Sequence, residues 1–222
     1  MTLKLEKYNT FIFDCDGVVL NSNFIKANCF YLSVKDFGEE IAFEFKNYHA
    51  SAGGISRIKK YDYLINEIFP KFKIKVKNKD DLKNKFISKY EKLLKNYIFN
   101  SDLSPYLINF KKKYNSNNWI MISGSEQNEL RKILIQKGIN NLFNLGIFGS
   151  PLTKNYLLKK KIKDNEIKFP AIFFGDSKVD YFAAKNANVD FIFLYEWTDL
   201  ENWNEFCNIN KINFAKNLGD LL

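Results

Sequence analysis

The nine residues FIFDCDGVV, at positions 11–19, combine a short apolar run with two aspartates and a glycine. The first three are aromatic or β-branched residues, which are typical of a buried strand. Asp14 and Asp16 follow directly, and two carboxylates this close repel each other and are costly in a protein core. Such a pair suits a divalent cation with oxygen ligands, above all Mg²⁺, and one acid can act as a nucleophile while the other moves a proton. Taken alone, the motif is also compatible with an Asp-Gly turn whose acids are solvated.

Four further apolar runs predict buried strands, and helical patterns separate most of the runs. The five predicted strands are Thr10–Asp14, Trp119–Ser123, Leu145–Phe148, Ala171–Asp176 and Asp190–Leu194. Two of the intervals, Glu126–Lys137 and Lys154–Lys163, have the apolar spacing of helices. Alternating strands and helices are typical of a parallel sheet with helices on both faces. The sequence therefore predicts an α/β fold with a Rossmann-like, three-layer parallel-sheet core.

One interval is too long for a single crossover helix. Residues 22–96 show helical spacing several times and contain no convincing strand. An insertion of this size after the first strand indicates a separate helical unit. We therefore predict two domains, an α/β core formed by residues 1–21 and 97–222 and an inserted α-helical cap domain formed by residues 22–96.

Composition excludes a wholly disordered chain, and the charge bears on whether the protein binds nucleic acid. The 222 residues are 46% hydrophobic and 27% charged, which is an ordinary globular balance. The net charge of +9 invites a nucleic-acid interpretation, but only Arg57 and Arg131 are arginines, the usual residues for bidentate phosphate and base contacts. Residues 71–95 hold ten lysines against three acids, so this segment is either a solvated helix face or a basic lid that attracts an anionic substrate.

Cysteine usage and hydropathy bear on the compartment. Three cysteines are too few and too unevenly spaced for a disulfide framework, so a reducing environment is expected. No apolar run reaches the ~18 residues of a membrane span, and the N-terminal apolar run leads straight into acids rather than into a signal-peptide cleavage site. We expect a cytoplasmic protein with no membrane, nucleic-acid or obligate protein partner.

Polar side chains gather where the other predicted strands end. In open α/β sheets, ligands bind at the carboxyl ends of the strands. The second strand ends in Ser123 and Gly124, and the fourth ends in Asp176 with Asp180 four residues further on. Lys154 follows a Ser-Pro turn after the third strand. This order of acids, hydroxyl, ammonium and acids is hard to obtain by chance.

These four motifs resemble those of the haloacid dehalogenase superfamily, in its phosphatase and phosphomutase branch. DCDGVV resembles the first motif of the family, MISGS the second, GSPLTK the third and GDSKVD the fourth. The resemblance runs from Phe11 to about Leu194, and the insertion stands where the family has its C1-type helical cap. It implies an enzyme that works through an aspartyl-phosphate and uses Mg²⁺.

The resemblance also implies a role for each motif residue. Asp14 would attack phosphorus, and Asp16 would protonate the leaving oxygen and later deprotonate water. Asp14, the backbone carbonyl of Asp16, and Asp176 would hold Mg²⁺. Ser123, Gly124 and Lys154 would bind the transferring phosphoryl group, and Asp180 would orient Lys154 or a metal-bound water. An acid at position 16 favours phosphate-ester cleavage or phosphomutase work over dehalogenation.

The insertion contains a candidate specificity loop in His49-Ala-Ser-Ala-Gly-Gly54-Ile-Ser56-Arg57. The glycine pair permits close approach to a ligand, and a similar loop faces the active site in sugar-phosphate enzymes of this superfamily, so Gly54, Ser56 and Arg57 are candidate specificity residues. A helix start with Ser56 as N-cap is the bland alternative. His49, the only histidine, excludes a histidine-based metal site or a Ser-His-Asp triad and is expected at the cap surface or hinge.

Three functions remain open at this point. The first is a Mg²⁺-dependent phosphatase that acts on a small phosphorylated metabolite, with a sugar phosphate favoured and a nucleotide open. The second is a β-phosphoglucomutase-like phosphosugar mutase, in which Lys26 on the first cap helix would couple cap closure to catalysis. The third is a non-catalytic basic binding module.

Overall fold

The computed structural model describes residues 4–52 and 55–222, and a parallel six-stranded sheet lies at its centre. The strand order is β3-β2-β1-β4-β5-β6, and every adjacent pair is parallel. The strands are β1 (Thr10–Phe13), β2 (Asn118–Glu126), β3 (Ile147–Ser150), β4 (Ala171–Gly175), β5 (Asp190–Leu194) and β6 (Asn213–Ala215). The predicted α/β fold is confirmed.

The helices fall into two groups along the chain. Those between β1 and β2 are α1 (Asn23–Val34), α2 (Glu39–Ser51), α3 (Arg57–Tyr63), α4 (Phe69–Lys71), α5 (Lys79–Tyr97) and α6 (Leu107–Lys113), with a π-helical turn, Leu64–Ile68, between α3 and α4. The others are α7 (Gln127–Gln136), α8 (Lys154–Lys163), α9 (Lys178–Asn186) and α10 (Trp203–Asn210).

The centre of the sheet is apolar because β1 is covered on both faces. All four β1 residues are buried, and Phe13 stacks on Phe174 of β4 with ring centroids 4.9 Å apart. On the other face, Ile12 packs with Ile120 and Phe173. A strand buried on both faces reads as a continuous apolar run, which is why the sequence pattern was clear here.

The sheet differs from the prediction at its C-terminal edge. Five strands were predicted, but in the tail Asn202–Leu222, where a closing helix is the simplest expectation, α10 ends at Asn210 and a sixth strand follows. Lys211, with φ 54°, stops the helix in the left-handed conformation and turns the chain back. The strand is only three residues long and half-exposed, so it left little pattern in the sequence.

The helices α1–α5 leave and rejoin the core at one place. Backbone hydrogen bonds join Asn21 N to the Asp102 carbonyl (2.9 Å) and Ser104 N to the Val19 carbonyl (2.9 Å). The two connections therefore lie side by side, next to the end of β1. No helix among the described residues has both the length and the apolar character to cross a bilayer.

Candidate active site

Asp14 and Asp176 lie at the same edge of the sheet because β1 and β4 are adjacent and parallel. Each is the first residue after its strand, and each is about 5% exposed. With Asp180 they form a cluster in which one carboxylate oxygen of each residue lies within 4.8 Å of the others. The sequence-predicted acids of the first and fourth motifs therefore meet in one buried group.

The buried acids outnumber the positive charges in their cluster. Burial raises the pKa of Asp14 to about 7, although the neighbouring ammonium of Lys154 opposes the rise. Burial and the negative charge of Asp14 also hold the pKa of Asp176 well above its usual range. Clustered carboxylates in this state are good ligands for a hard divalent cation. The donor set thus fits a hard divalent cation such as Mg²⁺, to which Asp14 and Asp176 could offer side-chain oxygens.

Lys154 is the counter-charge inside this cluster. Its ammonium lies 2.6 Å from Oδ2 of Asp14 and also donates to Asp180, and its side chain is 1% exposed. It opens α8, where Thr153 caps the helix by accepting from Tyr156 N (3.2 Å). The two acids hold the pKa of Lys154 above its usual range in spite of burial. The structure thus brings the third motif to the first and the fourth.

Asp180 is held by its own helix as well as by Lys154. Ser177 and Asp180 form a reciprocal capping box at the start of α9, in which Ser177 Oγ accepts from Asp180 N (3.3 Å) and Asp180 Oδ2 accepts from Ser177 N (3.2 Å). Ser177 Oγ also donates to Asp180 Oδ2 (2.6 Å). Asp180 is fully buried. These contacts fix Oδ2 of Asp180, and its Oδ1 accepts from Lys154.

Asp16 has a different environment from Asp14. Lys26 of α1 lies 2.6 Å from Oδ1, and Ser125 Oγ donates to Oδ2 (2.7 Å). Ser22 also donates to Oδ1. Burial alone would raise the pKa of Asp16, but the ion pair with Lys26 and the two hydroxyl hydrogen bonds outweigh it and lower this pKa to about 2. Asp16 is therefore an ionised carboxylate in this arrangement.

Both serines of the second motif, Ser123 and Ser125, lie close to the candidate site. Ser123 is fully buried, and its hydroxyl accepts from Ser125 N (3.2 Å). Gly124 and Ser125 line the cavity at the site, and Ser125 also accepts from Lys26 (2.6 Å). Sequence reasoning missed Ser125, although the second hydroxyl of MISGS was the signal that could have found it.

Asn23 is a second residue that the motifs did not reveal. Its amide donates to Asp176 Oδ2 (2.8 Å) and to the Trp197 carbonyl (2.8 Å). Gly17, with φ +76°, makes room for this contact, since a Cβ at this position would lie 2.0 Å from Asp176 Oδ2. The turn after β1 therefore admits Asp176 only because residue 17 is glycine.

The predicted specificity loop is only partly described. Gly54 lies outside the described residues. Ser56 precedes α3 as its N-cap residue, without a side-chain cap hydrogen bond. Arg57 lines the cavity, but its guanidinium pairs with Glu129 of α7 (2.6 Å) and Glu91 of α5 (3.2 Å) and lies over the Tyr90 ring.

The cap-surface alternative for His49 was wrong, because the residue is buried. It stacks against Phe30, with ring centroids 4.5 Å apart, and its Nδ1 lies 2.6 Å from Lys60 Nζ. Burial, and then the charge of Lys60, lower the pKa of His49 well below its usual value. The imidazole is therefore neutral, and Nδ1 accepts from the ammonium.

A cavity of about 90 Å³ connects these groups. Its lining includes the three carboxylates Asp14, Asp16 and Asp176 on the sheet side and His49 and Lys60 on the helical side. The lysine-rich segment 71–95, which the structure describes in full, contributes no lysine to this lining. Several of its lysines instead pair with surface acids, as Lys71 does with Glu44 and Lys89 with Asp36. The solvated-face interpretation of the segment is thus favoured.

The family model for haloacid dehalogenase-like hydrolases matches residues 8–188. The chain belongs to this family. Its members are hydrolases and typically use a metal ion, and the buried acids of this haloacid dehalogenase-like chain offer a place for one. No curated protein matches the sequence.

Solved structures share the fold at low identity. A protein from Bacteroides fragilis described as a haloacid dehalogenase-like hydrolase is 21% identical, with a TM-score of 0.71 over 97% of this chain and 100% of its own. A predicted phosphatase from Clostridium acetobutylicum is 15% identical, with a TM-score of 0.72 over 96% of both chains. A predicted phosphoglycolate phosphatase from Haemophilus somnus 129pt is 18% identical, with a TM-score of 0.68 over 86% and 87%. These likenesses show the haloacid dehalogenase fold.

Proposed function

We propose that this hydrolase is a Mg²⁺-dependent phosphatase that cleaves a small phosphorylated metabolite through an aspartyl-phosphate on Asp14. One observation carries the proposal. Asp14, Lys154, Asp176 and Asp180 form a single buried charge cluster at the carboxyl ends of the strands, and this cluster borders a cavity. Phosphoryl transfer needs charge neutralisation and positioning more than covalent work by the protein, and the cluster offers both.

The first half-reaction uses Asp14 as the nucleophile. One of its carboxylate oxygens forms a bond to phosphorus while the ester P–O bond breaks, and the leaving oxygen takes a proton from Asp16. Lys154 favours the ionised form of Asp14 and offers its ammonium to the phosphoryl oxygens. Asp14, Asp176 and the carbonyl of Asp16 would hold Mg²⁺, which when bound supplies the positive charge that offsets repulsion between Asp14 and the phosphate.

The second half-reaction regenerates Asp14. Water attacks phosphorus and passes a proton to Asp16 while the bond between phosphorus and the Asp14 oxygen breaks, so that Asp14 and inorganic phosphate are released. Asp16 is already ionised next to Lys26, which is the form that accepts this proton. To donate a proton in the first half-reaction, Asp16 must be released from Lys26, because this contact keeps the pKa of Asp16 at about 2. Lys26 is thus proposed to switch the role of Asp16.

The phosphoryl group is proposed to bind to Lys154 and to the irregular C-terminal part of β2, where the pairing with β3 shifts register between Ile122 and Glu126. Gly124 in this part lines the cavity and offers its backbone N–H, while Ser123 fixes the backbone there by accepting from Ser125 N. Ser125 adds a hydroxyl to the same wall. In this proposal the residues 22–96 act as the cap domain, and Gly54, Ser56 and Arg57 contact the non-reacting part of the substrate.

The size of the cavity favours small substrates. At about 90 Å³ it is well below the ~300 Å³ at the lower end of ordinary ligand pockets. A short phosphorylated metabolite is therefore favoured over a nucleotide. One of the solved structures is described as a predicted phosphoglycolate phosphatase, so phosphoglycolate belongs in the substrate panel.

The three cysteines are free, which supports the cytoplasmic location that is part of the proposal.

The test is phosphate release from a panel of short acid phosphates, sugar phosphates and nucleotides, with Mg²⁺, with chelator and with Asp14→Asn. Release that needs Mg²⁺ and is lost in Asp14→Asn supports the phosphatase. Isomerised sugar phosphate with little free phosphate, stimulated by a sugar bisphosphate, replaces it with the mutase. No turnover and no Mg²⁺ binding, with salt-sensitive binding to nucleic acid, replaces it with the binding module.

A further inference from the structure

Lys60 is a buried amine at the substrate cavity without an acidic partner, and burial lowers its pKa to about 7, so its ammonium form is well populated at neutral pH. Its side chain is 3% exposed and lines the cavity from α3. Among the described residues, no carboxylate oxygen lies within 4.0 Å of its ammonium. The nearest polar contacts are Nδ1 of His49 at 2.6 Å and the His49 carbonyl at 3.4 Å. A buried charge is normally paired, because removing it from water is costly.

The other cations of the cavity are already engaged. Lys26 pairs with Asp16 (2.6 Å), and Arg57 pairs with Glu129 (2.6 Å) and Glu91 (3.2 Å). Lys178 is exposed to solvent. Lys60 therefore differs from each of them in being both buried and without a carboxylate.

His49 positions Lys60 but cannot neutralise it. The imidazole is neutral, so it accepts one hydrogen bond and brings no negative charge. An ammonium has three donors, and the two contacts to His49 leave at least one directed elsewhere. The ring of Phe30 completes the wall, with its centroid 5.3 Å from Lys60 Nζ. Lys60 is thus held in place by His49 and Phe30, and at least one of its N–H donors can face the small cavity.

We propose that Lys60, oriented by His49, binds a second anionic group of the substrate. The substrate class is then a small phosphate monoester that carries a carboxylate or a second phosphate a few bonds from the reacting phosphoryl group. The short separation follows from the cavity of about 90 Å³, which Lys60 shares with the carboxylates of Asp14 and Asp176. This inference rests on the proposed phosphatase function and names its substrate class.

Other charged groups face Lys60 from neighbouring elements. Lys26 and Asp16 line the same cavity, and Asp199 lines it from the loop after β5. Burial raises the pKa of Asp199, so this acid is more readily protonated than an exposed one when an anion arrives. The electrostatic field at Lys60 therefore combines the ammonium groups of Lys26 and Lys154 with the carboxylates of Asp16 and Asp199, of which only Asp16 has a partner at hydrogen-bond distance among the described residues.

The kinetic test compares substrates that differ only in the second anion. Phosphoglycolate is paired with ethyl phosphate, and propanediol bisphosphate with hydroxypropyl phosphate. In the wild type, kcat/KM favours one or both of the doubly anionic members, and the preferred pair tells whether carboxylate or phosphate is bound. In Lys60→Met the preference falls about 10- to 100-fold, the range expected for losing a hydrogen bond to a charged group. Lys60→Arg retains part of it.

The matched control is Lys92→Met, which removes an exposed lysine of α5 and leaves the preference unchanged. Circular dichroism and the urea midpoint verify that the variants fold. No preference in the wild type, or the same preference in Lys60→Met, would overturn the proposal while the phosphatase function stands.

A binding measurement separates this inference from catalysis. Phosphonopropionate and propylphosphonate, which cannot be hydrolysed, are titrated calorimetrically into wild type, Lys60→Met and Lys92→Met in the presence of Mg²⁺. Tighter binding of phosphonopropionate that is lost only in Lys60→Met supports the site even if no substrate in the panel is hydrolysed. The proposal for Lys60 would be refuted by equal affinities for the two phosphonates together with substrate pairs that show no preference for a carboxylate or a second phosphate.

Discussion

The ammonium of Lys154 lies 2.6 Å from Oδ2 of Asp14, and neither side chain is more than 7% exposed. The same ammonium donates to Asp180, so a single positive charge serves two buried acids. The cluster is therefore balanced by few charges, and removing any one of them changes both the proposed chemistry and the stability.

Replacing Lys154 tests this balance. Lys154→Met leaves buried carboxylates without their counter-charge, so we expect the free energy of unfolding to fall by about 3–5 kcal/mol at neutral pH. Phosphatase activity falls by at least ~100-fold, because the phosphoryl oxygens lose a cationic donor. Urea denaturation and phosphate release measure the two effects. Lys159→Met, an exposed lysine of the same helix, is the control; equal behaviour of the two variants would refute the assignment.

Variants at Ser177 and Asp180 distinguish capping of α9 from positioning of Lys154. Ser177→Ala removes half of the capping box of α9 and should cost about 0.5–2 kcal/mol of stability, with a smaller effect on activity. Asp180→Asn also removes the charge that holds Lys154, so kcat should fall by at least ~10-fold more than in Ser177→Ala. Comparable kcat values in the two variants would show that Asp180 acts only as a cap.

The turn after β1 can be tested at its glycine. Gly17→Ala places a methyl group 2.0 Å from Asp176 Oδ2 and 2.6 Å from Asn23 Nδ2, so Asp176 must move and Mg²⁺-dependent activity should be lost. Gly138→Ala is a matched control, because this glycine also has a positive φ (+70°) but has nothing within 4 Å of the added Cβ. It should lose only about 1–2 kcal/mol of stability. Activity that survives in Gly17→Ala, measured across a Mg²⁺ titration, would contradict the tight fit.

Arg57 joins the inserted helices to α7. Its side chain is 9% exposed, and Glu129 is 23% exposed, so this ion pair is better shielded than an ordinary surface pair. A double-mutant cycle with Arg57→Met and Glu129→Gln should give a coupling energy of about 1–3 kcal/mol. The same cycle with Glu91→Gln should give less, because Glu91 is 51% exposed. A coupling near zero for Glu129 would mean that the contact does not hold the two parts together.

Lys60 should make stability depend on pH. Burial lowers the pKa of Lys60 from its usual 10.5 to about 7, although Asp16 and Asp199 oppose this. Between these two values the unfolded chain binds a proton that the folded protein lacks, so stability rises with pH by about 1.4 kcal/mol per unit from this group. Urea denaturation from pH 6 to pH 10 should show this extra slope in the wild type and not in Lys60→Met. Parallel curves would place the pKa of Lys60 near its ordinary value.

The sequence was most informative where residues near one another in the chain determine the structure. The predicted helix Lys154–Lys163 is found with the same bounds, and the buried strand at residues 10–13 was plain because both of its faces are apolar. The strand-end motifs located Asp14 and Asp176 because parallel strands bring their carboxyl ends to one edge. The short edge strand β6 had no such pattern.

Contacts between distant segments were not predictable from the sequence. The pairing of Arg57 with Glu129 and that of Lys60 with His49 depend on how helices pack, and neither pair has a distinctive spacing. Asn23 was missed for the same reason, since its amide reaches Asp176, which lies far along the chain. A single sequence identifies the residues that carry chemistry more readily than the residues that orient them.

The place of β1 in the sheet has a consequence for folding. Phe11 pairs with Trp119 on one side and with Ile172 on the other, so β1 is made early in synthesis but finds its partners over 100 residues later. Closing such long loops is slow, and an unpaired apolar strand invites aggregation in the meantime. The cluster around Asp14 cannot assemble before β4 has docked. A chain interrupted before Asp180 therefore lacks part of this cluster, and its unpaired first strand is open to aggregation.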